Sequence, residues 1–321
     1  MTNTNISEGG ACLLCGGRRG RELLRTARLE GPLFRCLSCR LVFVSLPVHP
    51  IPADPPLADP PLVLRLPAVK VQAEILPEDV TREMERLAGR AQQLSLVDRV
   101  VEEGETPWRE SMAGERLLDL RRFIGEGRLL EVGCSTGEFL LAARSCFTIT
   151  GVEADQFASR VAVARGIDCR TGAIADAGLD DSSFDVAVLY HVFEHFRDPR
   201  QELVQLRRLI VPGGYLVIET PDVETIWFRL LGARWRQIIP DHLFFFSPET
   251  LRRMLREAGF AVTEVHHVGK SMSVRLFISR IGRYSRLLAR LLSALARRTG
   301  LEGRTLRLNL GDVMRVYAVR K

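Results

Sequence analysis

Apolar and polar positions along residues 128–268 form short apolar runs separated by segments with helical spacing. A short apolar run bounded by turn residues is typical of a buried strand, whereas apolar positions three or four apart are typical of a helix. Runs that predict strands lie at 129–132, 147–152, 184–190, 215–219, 260–268 and 314–319. Because the strands alternate with helices, the pattern predicts an α/β fold with a mostly parallel sheet.

The segment before the first of these strands has a different pattern. Helical spacing recurs at 78–103 and 107–124, and eight of the sixteen prolines lie within 47–67. Proline fixes φ and lacks an N–H, so this stretch predicts an extended connector. The predicted units are a ribbon (1–46), a linker (47–77) and a domain (78–321) with a helical cover (78–125), a core (126–270), a basic helical insertion (275–300) and a last strand (313–320).

Composition and charge narrow the class of protein only slightly. The 321 residues are 46% hydrophobic and 26% charged, and the net charge of +6 permits contact with nucleic acid or a membrane without requiring either. Residues 1–10 are polar, unlike a secretory signal, and no apolar run is long enough to predict a membrane-spanning helix. Seven cysteines, an odd number, favour a reducing compartment, so we expect a cytoplasmic protein.

Two cysteine pairs near the N-terminus predict a metal site. Each pair is separated by two residues, and twenty residues lie between the pairs. Four thiolates at this spacing favour tetrahedral zinc and saturate its coordination, so the zinc would be structural rather than catalytic. Two chance pairs and a redox dithiol are the alternatives. The predicted zinc ligands are Cys12, Cys15, Cys36 and Cys39.

The most informative segment runs from Leu129 to Leu140, where a predicted strand is followed by a tight turn and a helix start. Gly133 and Gly137 can take backbone angles that other residues avoid, and they let a ligand approach the main chain. The next strand ends in Glu153, the usual position of a carboxylate that binds a ribose diol. The third glycine of a dinucleotide fingerprint is missing, so the turn predicts a ligand with a ribose and no pyrophosphate.

This combination resembles the first motifs of class I S-adenosylmethionine-dependent methyltransferases. The resemblance implies a Rossmann-like seven-stranded sheet whose last two strands form an antiparallel hairpin edge. It also implies S-adenosyl-L-methionine as the cofactor, with its methionine part in the loop and its ribose on Glu153. The residues expected to bind the cofactor are Glu131, Gly133, Cys134, Ser135, Thr136, Gly137, Glu153, Ala154, Ala173, Ile174, Tyr190 and His191.

Three later segments, 191–199, 211–216 and 241–247, resemble a broad branch of the same family. Members of that branch act on sugars or other natural-product intermediates, and many carry an N-terminal zinc ribbon. The resemblance implies methyl transfer to a hydroxyl or carbon of a small-molecule or glycan-type acceptor. Relatives often place Asp where this chain has Ala173, so we expect the adenine to contact backbone groups near Ile174 and apolar side chains.

Methyl transfer to a hydroxyl requires a proton acceptor, and the pKa of histidine suits that role. The candidates are His191, His195 and His242. The first two are four residues apart and share a face of any helical turn. His242 follows the strand predicted at 215–219, at the end where acceptor sites lie in open α/β sheets. Each can equally be structural, and Glu194 can cap a helix instead of positioning a histidine or the cofactor.

Other functions remain open at the level of sequence. Seven arginines within residues 1–45 suit an RNA methyltransferase, although only Phe34 and Phe43 are available there to stack on bases. A scaffold that binds the cofactor without catalysis is a second alternative. A basic amphipathic pattern at 275–298 predicts a helix or a helix pair, which lies on a membrane surface or packs on the domain or a second subunit. No proline-proline-aromatic motif or proline-cysteine pair follows the strand predicted at 184–190, which argues against methylation of exocyclic nitrogens and of cytosine carbon 5.

Overall fold

The structure of the protein is a computed structural model that describes residues 3–5, 11–45, 106–282 and 285–321. The linker predicted at 47–77 and the helical pattern at 78–103 lie outside the described residues. The described strands are β1 (Asn3–Asn5), β2 (Arg19–Leu24), β3 (Leu33–Cys36), β4 (Val42–Val44), β5 (Gly127–Val132), β6 (Phe147–Glu153), β7 (Cys169–Thr171), β8 (Phe184–Tyr190), β9 (Ile210–Pro221), β10 (Phe244–Phe245), β11 (Phe260–His267), β12 (Lys270–Ser273), β13 (Thr305–Leu308) and β14 (Val313–Arg320).

Helices connect most of these strands. Several of them begin at a residue whose side chain caps the helix: the Asp155 side chain accepts from the Ala158 N–H, and Ser247 forms a capping box with Thr250. The α-helices are α1 (Thr106–Leu120), α2 (Glu138–Ala143), α3 (Gln156–Ala164), α4 (Pro199–Leu209), α5 (Ile226–Leu231), α6 (Pro248–Glu257), α7 (Val274–Ile281) and α8 (Arg286–Arg298). Short 3₁₀ helices lie at Ile174–Asp176, Phe193–His195 and Gly232–Arg234.

A seven-stranded sheet in the order β11-β14-β9-β8-β5-β6-β7 forms the centre of the molecule. Strands β5 to β9 are parallel to one another, and β14 runs antiparallel to both β9 and β11. Strand β8 is apolar on both faces because helices cover both, as a parallel sheet requires. The predicted α/β class and mostly parallel sheet are confirmed. The edge differs from a simple hairpin, because α7, α8, β12 and β13 lie between β11 and β14 in the chain.

The cysteine-containing N-terminal segment joins the rest of the molecule through a second sheet. This sheet has the order β1-β2-β3-β4-β10, and β10 comes from the α/β part of the chain. Phe244 and Phe245 pair antiparallel with Phe43 and Val42. The Val44 N–H also donates to the Leu243 carbonyl at 2.8 Å. The segment 11–45 is therefore hydrogen-bonded directly to residues that follow His242.

A polar network ties α1 to the central sheet. The Asp119 carboxylate accepts from Arg315 at 2.5 Å and from the Tyr317 hydroxyl at 2.9 Å. The same carboxylate lies 3.0 Å from His266 Nε2, and His266 Nδ1 lies 2.9 Å from Glu264 Oε1. Hydrogen bonding to Asp119 raises the pKa of His266 above its usual value of 6.5. Because protonated His266 interacts more strongly with Asp119, the network stabilises the contact of α1 with β11 and β14 to an extent that depends on pH.

His266→Gln should change the pH dependence of stability. A histidine whose pKa is raised on folding contributes stability below its unfolded pKa and loses that contribution as pH rises through the folded pKa. The variant should therefore be less stable than the wild type near pH 5.5 and nearly equal to it near about pH 9. Urea unfolding at several pH values measures this difference. If the difference in unfolding free energy between the wild type and the variant increased as pH rose, the assignment of a raised pKa to His266 would be contradicted.

The amphipathic segment at 275–298 forms a pair of helices, α7 and α8. Strands β12 and β13, which flank this pair in the chain, form a two-stranded antiparallel sheet that the apolar pattern did not predict. The predicted packing of the leucine face on the domain is not seen within the described chain, since Leu287, Leu291 and Leu295 are each more than half exposed. None of the described helices is long and apolar enough to cross a membrane.

Candidate functional site

The glycine-containing turn between β5 and α2 has an unusual backbone. Gly133, Ser135 and Gly137 all have positive φ, at 70°, 50° and 86°. A Cβ on Gly133 would lie 2.3 Å from Val192, and one on Gly137 would lie 2.0 Å from Ile167. Both glycines are therefore needed for backbone angle and packing as well as for any ligand approach. The contact with Val192 also places this turn directly against the loop that follows β8.

Glu153 at the end of β6 holds the same turn. Its Oε2 accepts from the Ser135 N–H at 2.7 Å, and its Oε1 accepts from the Asp155 N–H at 2.8 Å. An ionised carboxylate has about four lone-pair sites, so each oxygen can still accept a ligand hydroxyl. Glu153 thus fixes the backbone of the turn and keeps acceptor capacity at the carboxyl edge of the sheet.

Buried polar atoms surround the turn without protein partners. Glu131 Oε2, Ser135 Oγ and the Tyr190 hydroxyl have no hydrogen-bond partner among the described residues. Burial raises the pKa of Glu131 well above its usual range. A buried polar group without a partner is costly, so such a set is expected where a polar ligand binds. The chemistry of the turn fits a ligand with an amino group and hydroxyls, as S-adenosylmethionine has.

The other predicted cofactor residues lie along the same edge of the sheet. Ala154 follows β6, and Ala173 follows β7 and precedes the 3₁₀ helix that contains buried Ile174. Cys134 is buried with its sulfur 3.5 Å from that of Cys169. Thr136 hydrogen-bonds the Glu138 side chain at the start of α2. The structure brings all of these residues to the ends of β5, β6 and β7.

A cluster of three histidines surrounds Glu194 at the end of β8. Glu194 is completely buried, with Oε1 3.3 Å from His191 Nδ1 and 3.8 Å from His242 Nε2. His191 has a φ of 59°, which is uncommon for a residue with a side chain and is often found at functional sites. The rings of His195 and His242 meet edge to face with centroids 4.7 Å apart. All three predicted catalytic histidines therefore belong to one cluster.

Burial and neighbouring charge set the ionisation of this cluster. Burial alone would raise the pKa of Glu194, but the hydrogen bond with His191 and the nearby imidazoles lower it to about 2. Burial lowers the pKa of His242 to about 4, so its ring is neutral at neutral pH. The His195 Nδ1 lies 2.8 Å from the Asp241 carbonyl oxygen. Because a carbonyl only accepts, Nδ1 carries the proton and Nε2 has a free lone pair.

The sequence analysis missed a second buried carboxylate beside the cluster. Glu219 in β9 accepts from Arg116 at 2.7 Å and from Arg315 at 3.0 and 2.6 Å, and lies 3.2 Å from His191 Nε2. Burial would raise the pKa of Glu219, but the two guanidinium charges outweigh it and hold the pKa well below its usual range. The sequence did contain a signal for this site, because Glu219 and Arg315 are charged residues within the otherwise apolar strands β9 and β14. A fully buried charge requires a partner, so the two could have been expected to pair.

The four cysteines of the N-terminal segment come together. Their sulfurs lie within 4.8 Å of one another, and the Cys12–Cys39 and Cys15–Cys36 sulfur distances are 3.5 Å. The Cys15 and Gly16 N–H groups fold back onto the Cys12 carbonyl, and the Arg40 N–H onto that of Cys36. Four converging thiols on two such turns are the donor set and spacing that a structural zinc ion takes.

The profile of a family described as a methyltransferase domain matches residues 79–265. The chain belongs to this family. It is an S-adenosylmethionine-dependent methyltransferase with the α/β sheet of the class I fold. The matched range includes the turn after β5, Glu153 and the histidine cluster, whereas the four cysteines precede it.

Two relatives act on different acceptors. The methyltransferase is 27% identical over 165 residues to the ubiquinone biosynthesis O-methyltransferase of Thiobacillus denitrificans, covering 47% of this chain and 71% of that protein. It is 32% identical over 168 residues to the tRNA U34 carboxymethyltransferase of Dichelobacter nodosus, covering 48% of this chain and about half, 52%, of that relative. A solved SAM-dependent methyltransferase from Archaeoglobus fulgidus is 19% identical with a TM-score of 0.48, covering 67% of this chain and 97% of that one.

Proposed function

We propose that the methyltransferase transfers a methyl group to a hydroxyl or carbon of a small-molecule or glycan-type acceptor. The observation that carries this proposal is the contact between the turn after β5 and the loop after β8. Val192 packs against Gly133, so the buried Glu194 and its histidines adjoin the turn that fits the cofactor. A methyl donor and a proton-accepting cluster side by side are what transfer to a hydroxyl requires.

The turn residues bind and orient the cofactor in this proposal. Glu153 accepts from the ribose hydroxyls, while Glu131 and Ser135 offer unpartnered polar atoms to the methionine part. Bound S-adenosylmethionine supplies an electrophilic methyl group on a sulfonium. Ala154, Ala173 and Ile174 line the adenine side, where burial of apolar surface and backbone groups replaces a side-chain hydrogen bond. The rate then depends on alignment of donor and acceptor with water excluded.

The histidine cluster activates the acceptor. His195 Nε2 has its lone pair free because Nδ1–H donates to Asp241, and neutral His242 lies beside it. His191 lies between the carboxylates of Glu194 and Glu219, so it links the cluster to Arg116 and Arg315. The cluster faces the carboxyl edge of the sheet, where open α/β folds bind ligands.

Cys12, Cys15, Cys36 and Cys39 are proposed to hold a structural zinc ion, as a ribbon unit over residues 1–46. Four thiolates leave no open coordination position, so the ion takes no part in the chemistry. Its role is to fold a segment too small for an independent core. Through β4 and β10, that segment also supports the chain immediately after His242.

An RNA acceptor is the second candidate, and one feature favours it. A cavity of about 460 Å³ between the N-terminal segment and α5 is lined by Arg21, Arg35, Arg40 and Arg229. Clustered guanidinium groups suit phosphate oxygens. Among the described residues, Phe228 supplies the only aromatic ring that lines this cavity, which leaves few platforms for base stacking.

Transfer of a labelled methyl group separates the two candidates. The purified chain is incubated with methyl-labelled S-adenosylmethionine and either hydroxylated small molecules and glycans or bulk transfer RNA. Label in a small-molecule or glycan fraction supports the proposal. Label confined to RNA would overturn it in favour of the second candidate, and no label in any fraction would favour a cofactor-binding scaffold.

Glu153→Ala should weaken the binding of S-adenosylhomocysteine by at least about tenfold, since hydrogen bonds to a charged group are worth about 1.5–3 kcal/mol each. Calorimetric titration measures this affinity. Glu126→Ala, which removes an exposed carboxylate just before β5, is the matched control and should bind like the wild type. Equal affinity of the Glu153 variant and the wild type would refute the ribose assignment.

A further inference from the structure

The cluster around Glu194 contains the ligand set of a cation site. One ligand atom from each of Glu194, His195 and His242 lies within 4.8 Å of the others. Metal–nitrogen and metal–oxygen bonds are about 2.0–2.2 Å, so opposite ligands can lie up to roughly 4.4 Å apart. Small side-chain rotations therefore bring all three atoms onto one ion. Two imidazoles and one carboxylate on one side leave further coordination positions open.

An unpartnered buried oxygen points to a missing ligand at this position. Glu194 is 0% exposed and, among the described residues, its Oε2 has no hydrogen-bond partner, while its Oε1 faces His191. His242 is 3% exposed, and its Nε2 lies 3.8 Å from Glu194 Oε1, beyond hydrogen-bond distance. A buried carboxylate oxygen left unpaired costs free energy unless something binds it. A cation would satisfy it.

Neighbouring groups already orient the three ligands. The Asp241 carbonyl accepts from His195 Nδ1, which directs the lone pair of Nε2 away from the backbone. His191 lies 3.3 Å from Glu194 Oε1 and holds the carboxylate in place. The Leu243 N–H donates to the Glu194 carbonyl at 2.9 Å and so joins the two loops that carry the ligands. Metal-binding histidines and carboxylates are typically held by such outer hydrogen bonds.

We propose that Glu194, His195 and His242 bind a divalent cation that coordinates the acceptor directly. This inference rests on the proposed function, since the same site activates the acceptor, but it replaces direct proton transfer to a histidine with activation by a bound cation. The open positions suit an acceptor with two adjacent oxygens, such as a vicinal diol, because both oxygens can bind one ion. The cation is distinct from the zinc of the four cysteines, because imidazole and carboxylate suit Mn²⁺ as well as Zn²⁺, whereas four thiolates do not suit Mn²⁺.

A cation changes how the hydroxyl is activated. An oxygen bound to a divalent cation loses its proton far more readily, as bound water does. The acceptor O–H bond breaks and the proton passes to water. The oxygen electron pair then forms the new bond to the methyl carbon, and the electrons of the broken carbon–sulfur bond remain on sulfur as a thioether. His195 and His242 act as ligands in this step, so their lone pairs bind the cation instead of taking the proton.

Binding of Mn²⁺ to the zinc-loaded protein tests the inference without an acceptor. Electron paramagnetic resonance should detect one Mn²⁺ bound per chain. His195→Gln removes a ligand that is part-exposed and should weaken Mn²⁺ binding by more than about a hundredfold, above the range for loss of an outer hydrogen bond. Glu194→Gln should do the same. His267→Gln, which alters a histidine paired with Asp222 outside the cluster, is the control and should bind Mn²⁺ like the wild type.

Titration with S-adenosylhomocysteine on the same samples separates the two proposals. No Mn²⁺ binding by the wild type would overturn the cation site, as would equal Mn²⁺ affinity in wild type and His195→Gln. If S-adenosylhomocysteine still bound, the methyltransferase proposal would stand without a cation. If the wild type bound neither Mn²⁺ nor S-adenosylhomocysteine, the result would count against the proposed cofactor site as well. Normal S-adenosylhomocysteine affinity in His195→Gln shows that this variant is folded.

Discussion

A Cys36→Ser, Cys39→Ser double variant should lose methyl transfer by at least about a hundredfold while keeping most of its affinity for S-adenosylhomocysteine. The two cysteines supply half of the proposed zinc ligands, so the N-terminal segment would unfold without them. Strand β4 would then no longer pair with β10, and Val44 would no longer hold Leu243. His242 would move, and a displacement of about 1 Å can cost about a hundredfold in rate.

Cofactor affinity should survive because the turn after β5 and Glu153 belong to the central sheet. Cys146→Ser is the matched control, since Cys146 lies outside the four-cysteine cluster, directly before β6. It should transfer methyl groups like the wild type. Full activity in the double variant would mean that the N-terminal segment does not position the acceptor site. Zinc content measured on each sample shows whether the metal was lost.

Arg315→Met should destabilise the protein by about 3 kcal/mol, the lower end of the range for a broken buried ion pair, because it leaves a buried carboxylate with fewer partners. Arg315 is 6% exposed, and it bonds both Glu219 and Asp119. Arg116 still pairs with Glu219 in the variant, so the cost should not reach the full penalty of an isolated buried charge. The free energy of unfolding in urea measures the effect.

Arg128→Met is the matched control for this substitution. Arg128 pairs with Asp185 at 3.2 Å, but both side chains are about a third or more exposed. Exposed ion pairs contribute about 0–1 kcal/mol, so this variant should lose no more than that. If Arg315→Met and Arg128→Met lowered the free energy of unfolding equally, burial of the ion pairs around Glu219 would not contribute to stability.

Much of the central sheet could be predicted from the sequence. Strands β5, β6, β8 and β9 are apolar runs bounded by turns, and parallel strands must be covered on both faces, so pattern and fold agree. Strand β7 escaped prediction because its three residues are Cys169, Arg170 and Thr171, which carry no apolar signal. Strand β10 is two residues long and exists only because β4 pairs with it.

Most residues of the candidate site could be predicted from the sequence, but the contacts among them could not. The turn after β5 and the three histidines stand in recognisable motifs, so their types and spacing pointed to binding and proton transfer. Glu194 and Glu219 meet through His191 only after β8 and β9 have paired, and no sequence pattern encodes that distance. The contact of the N-terminal segment with residues after His242 is likewise a tertiary result, since about two hundred residues separate the two along the chain.

The most direct test of the account is the methyl-transfer rate of His195→Gln, measured with the acceptor found by labelling. The account assigns acceptor activation to the Glu194 cluster and cofactor binding to the turn after β5. It predicts a kcat lower by at least about a hundredfold with the affinity for S-adenosylhomocysteine unchanged. His267→Gln should retain the wild-type kcat. An unchanged kcat in His195→Gln, or a parallel loss of S-adenosylhomocysteine binding, would contradict this division.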